Sequence, residues 1–271
     1  MWTLIREREG DRGRPKSRQN VILGLSIMTL IYVGVIFTTH GLNVADAPLY
    51  SRDISDWAGG VREGQLWEFD HVLWRPLGYS ALRTLWTGSP AAPEALRRIV
   101  TRKVLDDISL VCGGLSVLLF WLLARDVARS PKIGYAVATG FLCFEAFLNF
   151  AHAGTSYMPG LLLSTLGLWL VRRSPGGERK WAWMGGIASG AAALMWVPYV
   201  LSIPAVLLES WFRLLPQRRR EFLIQTIIAA TFTVSAGYAL AESARGMHTV
   251  ADFRAWIQNG VHAKQTKNLV T

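Results

Sequence analysis

Two carboxylates three residues apart stand in the run Asp53-Ile54-Ser55-Asp56-Trp57. If the run is helical, that spacing puts both on one face. A carboxylate held so can act as general base on an acceptor hydroxyl or amine, or ligate a divalent cation. It can equally be a solvated cap of a short helix. A second run, Asp70-His71-Val72-Leu73-Trp74-Arg75-Pro76-Leu77-Gly78-Tyr79, places His71 and Arg75 where a helix should start. N–H groups and a guanidinium at such a place can hold an anion; an ordinary loop-to-helix junction is the alternative. A third group, Glu145, Asn149 and His152, falls at i, i+4 and i+7 inside an apolar run. Polar groups at membrane depth call for partners. This face therefore either lines a cavity, touching a lipid phosphate, a sugar or a metal, or forms an interhelical hydrogen-bond set with Ser156, Tyr157, Asp106 or Asp107. Asp106 and Asp107 are also placed to pair with Arg102 and Lys103.

The elements that must position these residues are apolar runs. The chain of 271 residues is 51% hydrophobic and 18% charged, a balance that argues against a soluble domain. Its net charge of +10 invites a nucleic-acid partner. The placement of the charge excludes one, because Lys and Arg cluster between apolar stretches, which is a topology signal. Seven uncharged or nearly uncharged runs, at 21–38, 108–124, 133–150, 158–171, 181–196, 199–215 and 222–241, predict an all-α polytopic transmembrane bundle. Pro198 and Pro204 interrupt the later runs. Cys112 and Cys143 lie inside apolar runs and read as small buried hydrophobes. Gly186 and Gly190, with Ala188, Ser189 and Ala191 around them, give the fifth run a small-residue face for close helix packing.

Every second connection is basic. Arg6, Arg8, Arg12, Arg14, Lys16 and Arg18 precede the first run; Arg125, Arg129 and Lys132 follow the second; Arg172, Arg173, Arg179 and Lys180 follow the fourth; Arg213, Arg218, Arg219 and Arg220 follow the sixth. The bias predicts a cytoplasmic N-terminus and an extracytoplasmic C-terminus in a cytoplasmic-type (inner) membrane. Ala45-Asp46-Ala47 offers a competing cleavage site, but the long apolar run favours an uncleaved anchor. The expected organisation is a basic leader over 1–20, a transmembrane domain over 21–241 with a large extracytoplasmic loop over 40–103, and an extracytoplasmic tail over 242–271. The loop should hold three short helices: an amphipathic one carrying Ile54, Trp57, Ala58 and Val61, one over 77–86, and one starting near Ser89-Pro90. The third would gather Leu96, Ile99, Val100 and Val104 on one face, with Arg97, Arg98, Arg102 and Lys103 elsewhere. The tail carries Phe253, Trp256 and His262.

An N-in first span, a large outside loop with an acidic pair, and then a His/Pro-Leu element resemble the GT-C superfamily, membrane glycosyltransferases that use polyprenyl-phosphate sugars. In its bacterial dolichyl-phosphate-mannose-mannosyltransferase-like members the loop often reads Asp-x-x-Glu plus an aromatic, then His-Pro-Pro-Leu. Asp53-x-x-Asp56-Trp57 is similar to the first element, and His71…Pro76-Leu77-Gly78-Tyr79 to the second. Two departures stand out: Asp56 replaces the usual Glu, and Leu73, Trp74 and Arg75 intervene where His usually meets Pro. The resemblance covers about the first 170 residues. It implies Asp53 as catalytic base and Asp56 as its support or a metal ligand. It also implies a polyprenyl-phosphate-linked sugar as partner, with Arg75, Arg97, Arg98 and Arg102 as candidate cations for the donor phosphate; snorkelling to lipid headgroups accounts for the same arginines equally well. GT-C enzymes generally carry further spans, so the chain is expected to be an N-terminal module that works with a C-terminal half or a partner chain. No nucleotide-sugar, phosphate-loop or zinc spacing occurs in it; a divalent metal stays open. The rival functions are a non-catalytic membrane scaffold and a transporter component.

Overall fold

In the computed structural model, residues 14–39, 46–61, 66–86, 88, 92–174 and 176–258 are described, and every regular element among them is helical. Three helices are long and apolar enough to cross a membrane: α1 (Arg14–Thr38), α4 (Glu94–Ala128) and α10 (Pro216–Arg245). They contain the first, second and seventh predicted spans. The third is broken. Helices α5 (Pro131–Leu142) and α6 (Glu145–Ala151) meet at 68°, and counting the pair as one bent span brings the total to four. Extended backbone at Phe144 makes the break, and Glu145 opens the next helix in its first turn, where a carboxylate suits the dipole. The break also exposes Cys143, which the sequence places inside.

The remaining predicted spans are helices of insufficient length. α7 (Tyr157–Arg172), α8 (Arg179–Met195) and α9 (Ser202–Arg213) have 16, 17 and 12 residues. At 1.5 Å per residue none reaches the roughly 30 Å of hydrocarbon. By length and composition three helices of the described chain, or four with the bent pair, could cross a membrane, and the count of seven is not confirmed. A 3₁₀ turn over Val197–Leu201, with Pro198 inside it, separates α8 from α9.

Helix α8 is wedged between α7 and α10 by its small residues. A Cβ on Gly186 would stand 2.7 Å from the Ala229 Cβ, and one on Gly190 would stand 2.8 Å from the Ala230 carbonyl oxygen. On the α7 side, Gly167 faces the Ser189 hydroxyl at 2.7 Å from the same hypothetical atom. Backbones approach this closely only where side chains are absent. Around the wedge, Ile224, Ile227, Ile228 and Phe232 of α10 point outward, as expected of a surface that meets lipid.

The segment after α1 folds onto the first third of α4. It comprises α2 (Asp46–Ala58), a 3₁₀ turn (Phe69–His71) and α3 (Trp74–Leu85). The predicted third loop helix and second span are one helix of 35 residues. No Pro or Gly interrupts the chain between Glu94 and Cys112. The i,i+4 pairs Arg102–Asp106 and Lys103–Asp107 carry the helix through its charged stretch. Its buried face follows the apolar pattern only in part, since Val100 and Val104 pack inward as expected. Arg97, Thr101, Val104 and Leu105 point in, while Leu96 and Ile99 point out. Near a membrane an outward apolar side chain has lipid to meet, so periodicity loses its power to tell inside from outside. The expected helix start at Ser89-Pro90 lies outside the described residues.

Beyond α10, α11 (Val250–Gln258) is closed at its start by a reciprocal cap. The Thr249 N–H donates to Asp252 at 2.9 Å, and the Asp252 N–H donates to the Thr249 hydroxyl at 3.1 Å. Its Trp256 is buried and donates to the Trp67 carbonyl at 3.0 Å, within an aromatic group of Phe69, Tyr238 and Phe253. His262 lies outside the described residues.

Candidate functional site

Tyr50, Ser51, Ile54, Ser55 and Ala58 form the inward face of α2 at helical spacing, and Asp53 points in with them. Asp53 is 5% exposed, so it is a mid-helix buried acid and not the solvated cap that the sequence also allows. The helix stops at Gly59-Gly60, where Gly60 takes a left-handed φ of +85° and the Val61 N–H closes back on the Asp56 carbonyl at 2.9 Å. Val61 is thereby left exposed instead of completing the predicted amphipathic face.

Helix α3 presents Trp74, Arg75, Gly78 and Leu82 to the same interior. Pro76 falls within its first turn, where an N–H has no intrahelical partner to lose. Gly78 permits the close approach: a Cβ there would be 2.6 Å from Leu105 of α4 and 2.8 Å from Ile54 of α2. This packing aims Arg75 at α2. Its Nη1 meets the Asp53 Oδ2 at 2.9 Å and its Nη2 meets the Glu68 Oε2 at 2.8 Å. The other Asp53 oxygen faces the Arg52 Nε at 3.2 Å. The guanidinium also lies over the Tyr50 ring, 5.1 Å from its centre. Two buried carboxylates thus share one buried guanidinium, and Arg52 brings the second positive charge from a half-exposed position.

His71 joins the cluster from the 3₁₀ turn. Its Nδ1 lies 3.0 Å from the Met195 carbonyl and 2.8 Å from the Ser156 hydroxyl. A carbonyl can only accept, so the proton is assigned to Nδ1. The Tyr50 ring meets the imidazole edge-on at 5.6 Å between centres. The ends of α7 and α8 therefore close the site from behind, and the Leu73 N–H donates to the Leu194 carbonyl at 3.1 Å as part of the same seam.

Burial is the largest influence on the Asp53 carboxyl and raises its pKa above the ordinary aspartate value. Arg75 and then Arg52 pull the other way, and Asp56 adds a smaller upward push. The carboxylate is a stronger base than a free one. Burial also drives the Tyr50 phenol far above its usual range, helped by the negative charges of Glu68 and Asp46, so its hydroxyl stays neutral.

The remaining predicted site residues divide into two groups. Asp56 is half-buried on the rim, 3.9 Å from Arg98, which also pairs with Glu94. Arg97 is buried as a strut, donating to the Ser55 carbonyl at 3.4 Å and the Ala92 carbonyl at 2.5 Å. A Cβ on Gly59 would sit 2.5 Å from its guanidinium. Arg102 is engaged by Asp106 at 2.9 Å. Each proposed phosphate-binding arginine therefore touches a protein carboxylate or carbonyl. Glu145 is exposed at the α5–α6 break, Asn149 is half-buried on α6, and the His152 Nε2 is 3.2 Å from the Thr39 hydroxyl at the end of α1. That contact belongs to an interhelical hydrogen-bond set. Among the described residues no three His, Cys, Asp or Glu side chains come together as a metal site.

Glu68, Tyr50 and the Met195 carbonyl escape sequence reasoning, and Ser156, singled out there as a partner of the Glu145 face, is found on His71 instead. Glu68 stands alone between Trp67 and Phe69, and only the fold gives it a partner. No protein-family model, curated protein or solved structure matches the chain.

Proposed function

We propose that this chain is a membrane-embedded transferase of the GT-C type, moving a sugar from a polyprenyl-phosphate donor to an envelope glycan, lipid or protein on the extracytoplasmic face. The observation that carries the reading is convergence. Asp53 and His71, one from each of the two elements that carry the resemblance, and Arg75, a candidate cation, come from separate elements and meet in one buried polar cluster. A buried carboxylate of raised pKa is suited to take a proton from an acceptor hydroxyl. In the step proposed, that hydroxyl oxygen attacks the anomeric carbon while its proton passes to Asp53. The bond from the anomeric carbon to the phosphate oxygen breaks, and its electron pair leaves with the polyprenyl phosphate. Arg75 and Arg52 hold the carboxylate in place, and Arg52 and Arg98 put positive charge at the rim where a donor phosphate would arrive.

A second reading has its own support. Both Asp53 oxygens are engaged by arginines, and the Arg75 pair ties α2 to α3, as a purely structural network in a scaffold would. One variant separates the two. Asp53→Asn keeps the shape and a hydrogen-bonding side chain but cannot accept the proton. In membranes supplied with labelled polyprenyl-phosphate sugar, transfer should fall about 10²–10⁴-fold, while insertion and detergent-solubilised folding persist. Unchanged transfer by a folded Asp53→Asn protein would remove the enzymatic reading. Loss of folding together with transfer would favour the scaffold.

A further inference from the structure

Four arginines from four chain segments converge at the end of the bundle opposite Asp53. Arg125 in the last turns of α4, Arg129 in the turn that follows, Arg172 at the end of α7 and Arg213 at the end of α9 line a cavity of about 480 Å³, completed by Asp126 and Pro131. Arg97 beside α2 and Arg125 are 28 positions apart on one helix, about 42 Å at 1.5 Å per residue. The cavity is thus remote from the Asp53 cluster, and the inference does not depend on the transferase reading. We propose that it binds a phosphate-bearing anion, either the headgroup of an anionic lipid or a free phosphate ester.

Charge is the first argument. Among the described residues two carboxylates answer the four guanidiniums. Asp126 is held by its neighbour Arg125 at 2.5 Å, and Glu209 is shared between Arg172 at 2.5 Å and Arg213 at 3.6 Å. Arg172 also donates to the Asp126 carbonyl at 3.0 Å, and Arg213 to the Arg172 carbonyl at 2.5 Å. The Arg129 backbone N–H closes α4 on the Arg125 carbonyl, while its side chain has no ion pair or hydrogen bond among the described residues. It is held exposed at the rim by a left-handed backbone, φ 52°, that side-chain-bearing residues seldom adopt. Excess positive charge gathered this tightly is self-repelling unless an anion joins it. Guanidinium forks match phosphate oxygens in pairs.

The setting is the second argument. Arg125 lies over Trp121 at 5.1 Å, Arg173 over Trp169 at 4.8 Å and Arg219 over Trp211 at 4.6 Å, a belt of tryptophan and cation typical of the headgroup level. An anion seated there can carry its apolar part into the adjoining lipid.

The test uses the purified full chain in neutral detergent, read by intrinsic fluorescence, since Trp121 lies under one of the arginines. Short-chain phosphatidylglycerol, phosphatidylcholine of the same chain length, glycerol 3-phosphate and inorganic phosphate are titrated separately. Saturable binding of phosphatidylglycerol, on the order of tenfold tighter than phosphatidylcholine, is expected, and weakening on the order of tenfold in Arg129→Gln/Arg213→Gln. Equal binding of glycerol 3-phosphate would assign the site to a free ester. Arg129→Gln alone, at an exposed position, tests the cavity should the double variant fail to fold. Absence of saturable binding by any of the anions, or affinity unchanged in both variants, would overturn the proposal.

Discussion

Arg75 is the residue on which the α2–α3 cluster turns. It faces two carboxylates that are almost wholly withdrawn from solvent, and a buried charge that loses its partner is far more costly than the net worth of the pair. Arg75→Met removes the shared cation while keeping much of the side-chain volume. It should lower stability by about 3–5 kcal/mol, measured by denaturant unfolding of the detergent-solubilised chain. Adding Glu68→Gln should recover part of that loss by removing one stranded charge. A loss under about 1 kcal/mol, the range of exposed pairs, would mean that the cluster is open to water. At this scale the sequence is informative about types and silent about partners. Asp53 is legible from the i, i+3 spacing of two carboxylates, and His71 and Arg75 because their run combines ionisable groups with helix-start chemistry. Glu68 is not, because its meaning is a contact seven residues away across a turn.

Helices tell a different story. The small-residue face of α8 is legible from Gly186 and Gly190, and the structure seats that face on α10. Gly186→Val should therefore cost about 1–3 kcal/mol by forcing the helices apart. Gly140→Ala, where a Cβ meets nothing within 4 Å, should be neutral or stabilise by up to about 1 kcal/mol through helix propensity. Thermal unfolding of the two variants side by side checks the contrast; equal effects would show that the α8–α10 contact is not tight. Helix existence is read well and helix limits poorly. The break at Phe144 has no Gly or Pro to announce it, and the fusion of the third loop helix with the second span follows from pairs such as Arg102–Asp106 that span the expected boundary.

For the whole molecule, the two ends of α4 define two chemically distinct poles: a carboxylate-centred cluster near Arg97 and a guanidinium-rich cavity near Arg125. Helix α4 is long and apolar enough to cross a membrane, and a crossing would put the two poles on opposite faces. In a Cys112→Ser/Cys143→Ala background, Arg83→Cys on α3 should react with a membrane-impermeant maleimide in intact cells. Lys132→Cys, at the start of α5, should react only after permeabilisation. Both positions are exposed. Labelling of both from the same side would reject the arrangement.

Composition and charge spacing alone determined that this is a helical chain with helices long and apolar enough to cross a membrane, because a bilayer demands long apolar runs whose backbone groups are satisfied within one segment, and such runs are written locally. Which helices attain spanning length, which face of α4 turns inward, and that Glu68 and Ser156 join Asp53 and His71 were decided only by tertiary packing. Lipid accepts apolar side chains as readily as a protein core does, so hydrophobic pattern cannot separate the two. Partners distant along the chain acquire their pairing only when the backbones that carry them are brought together.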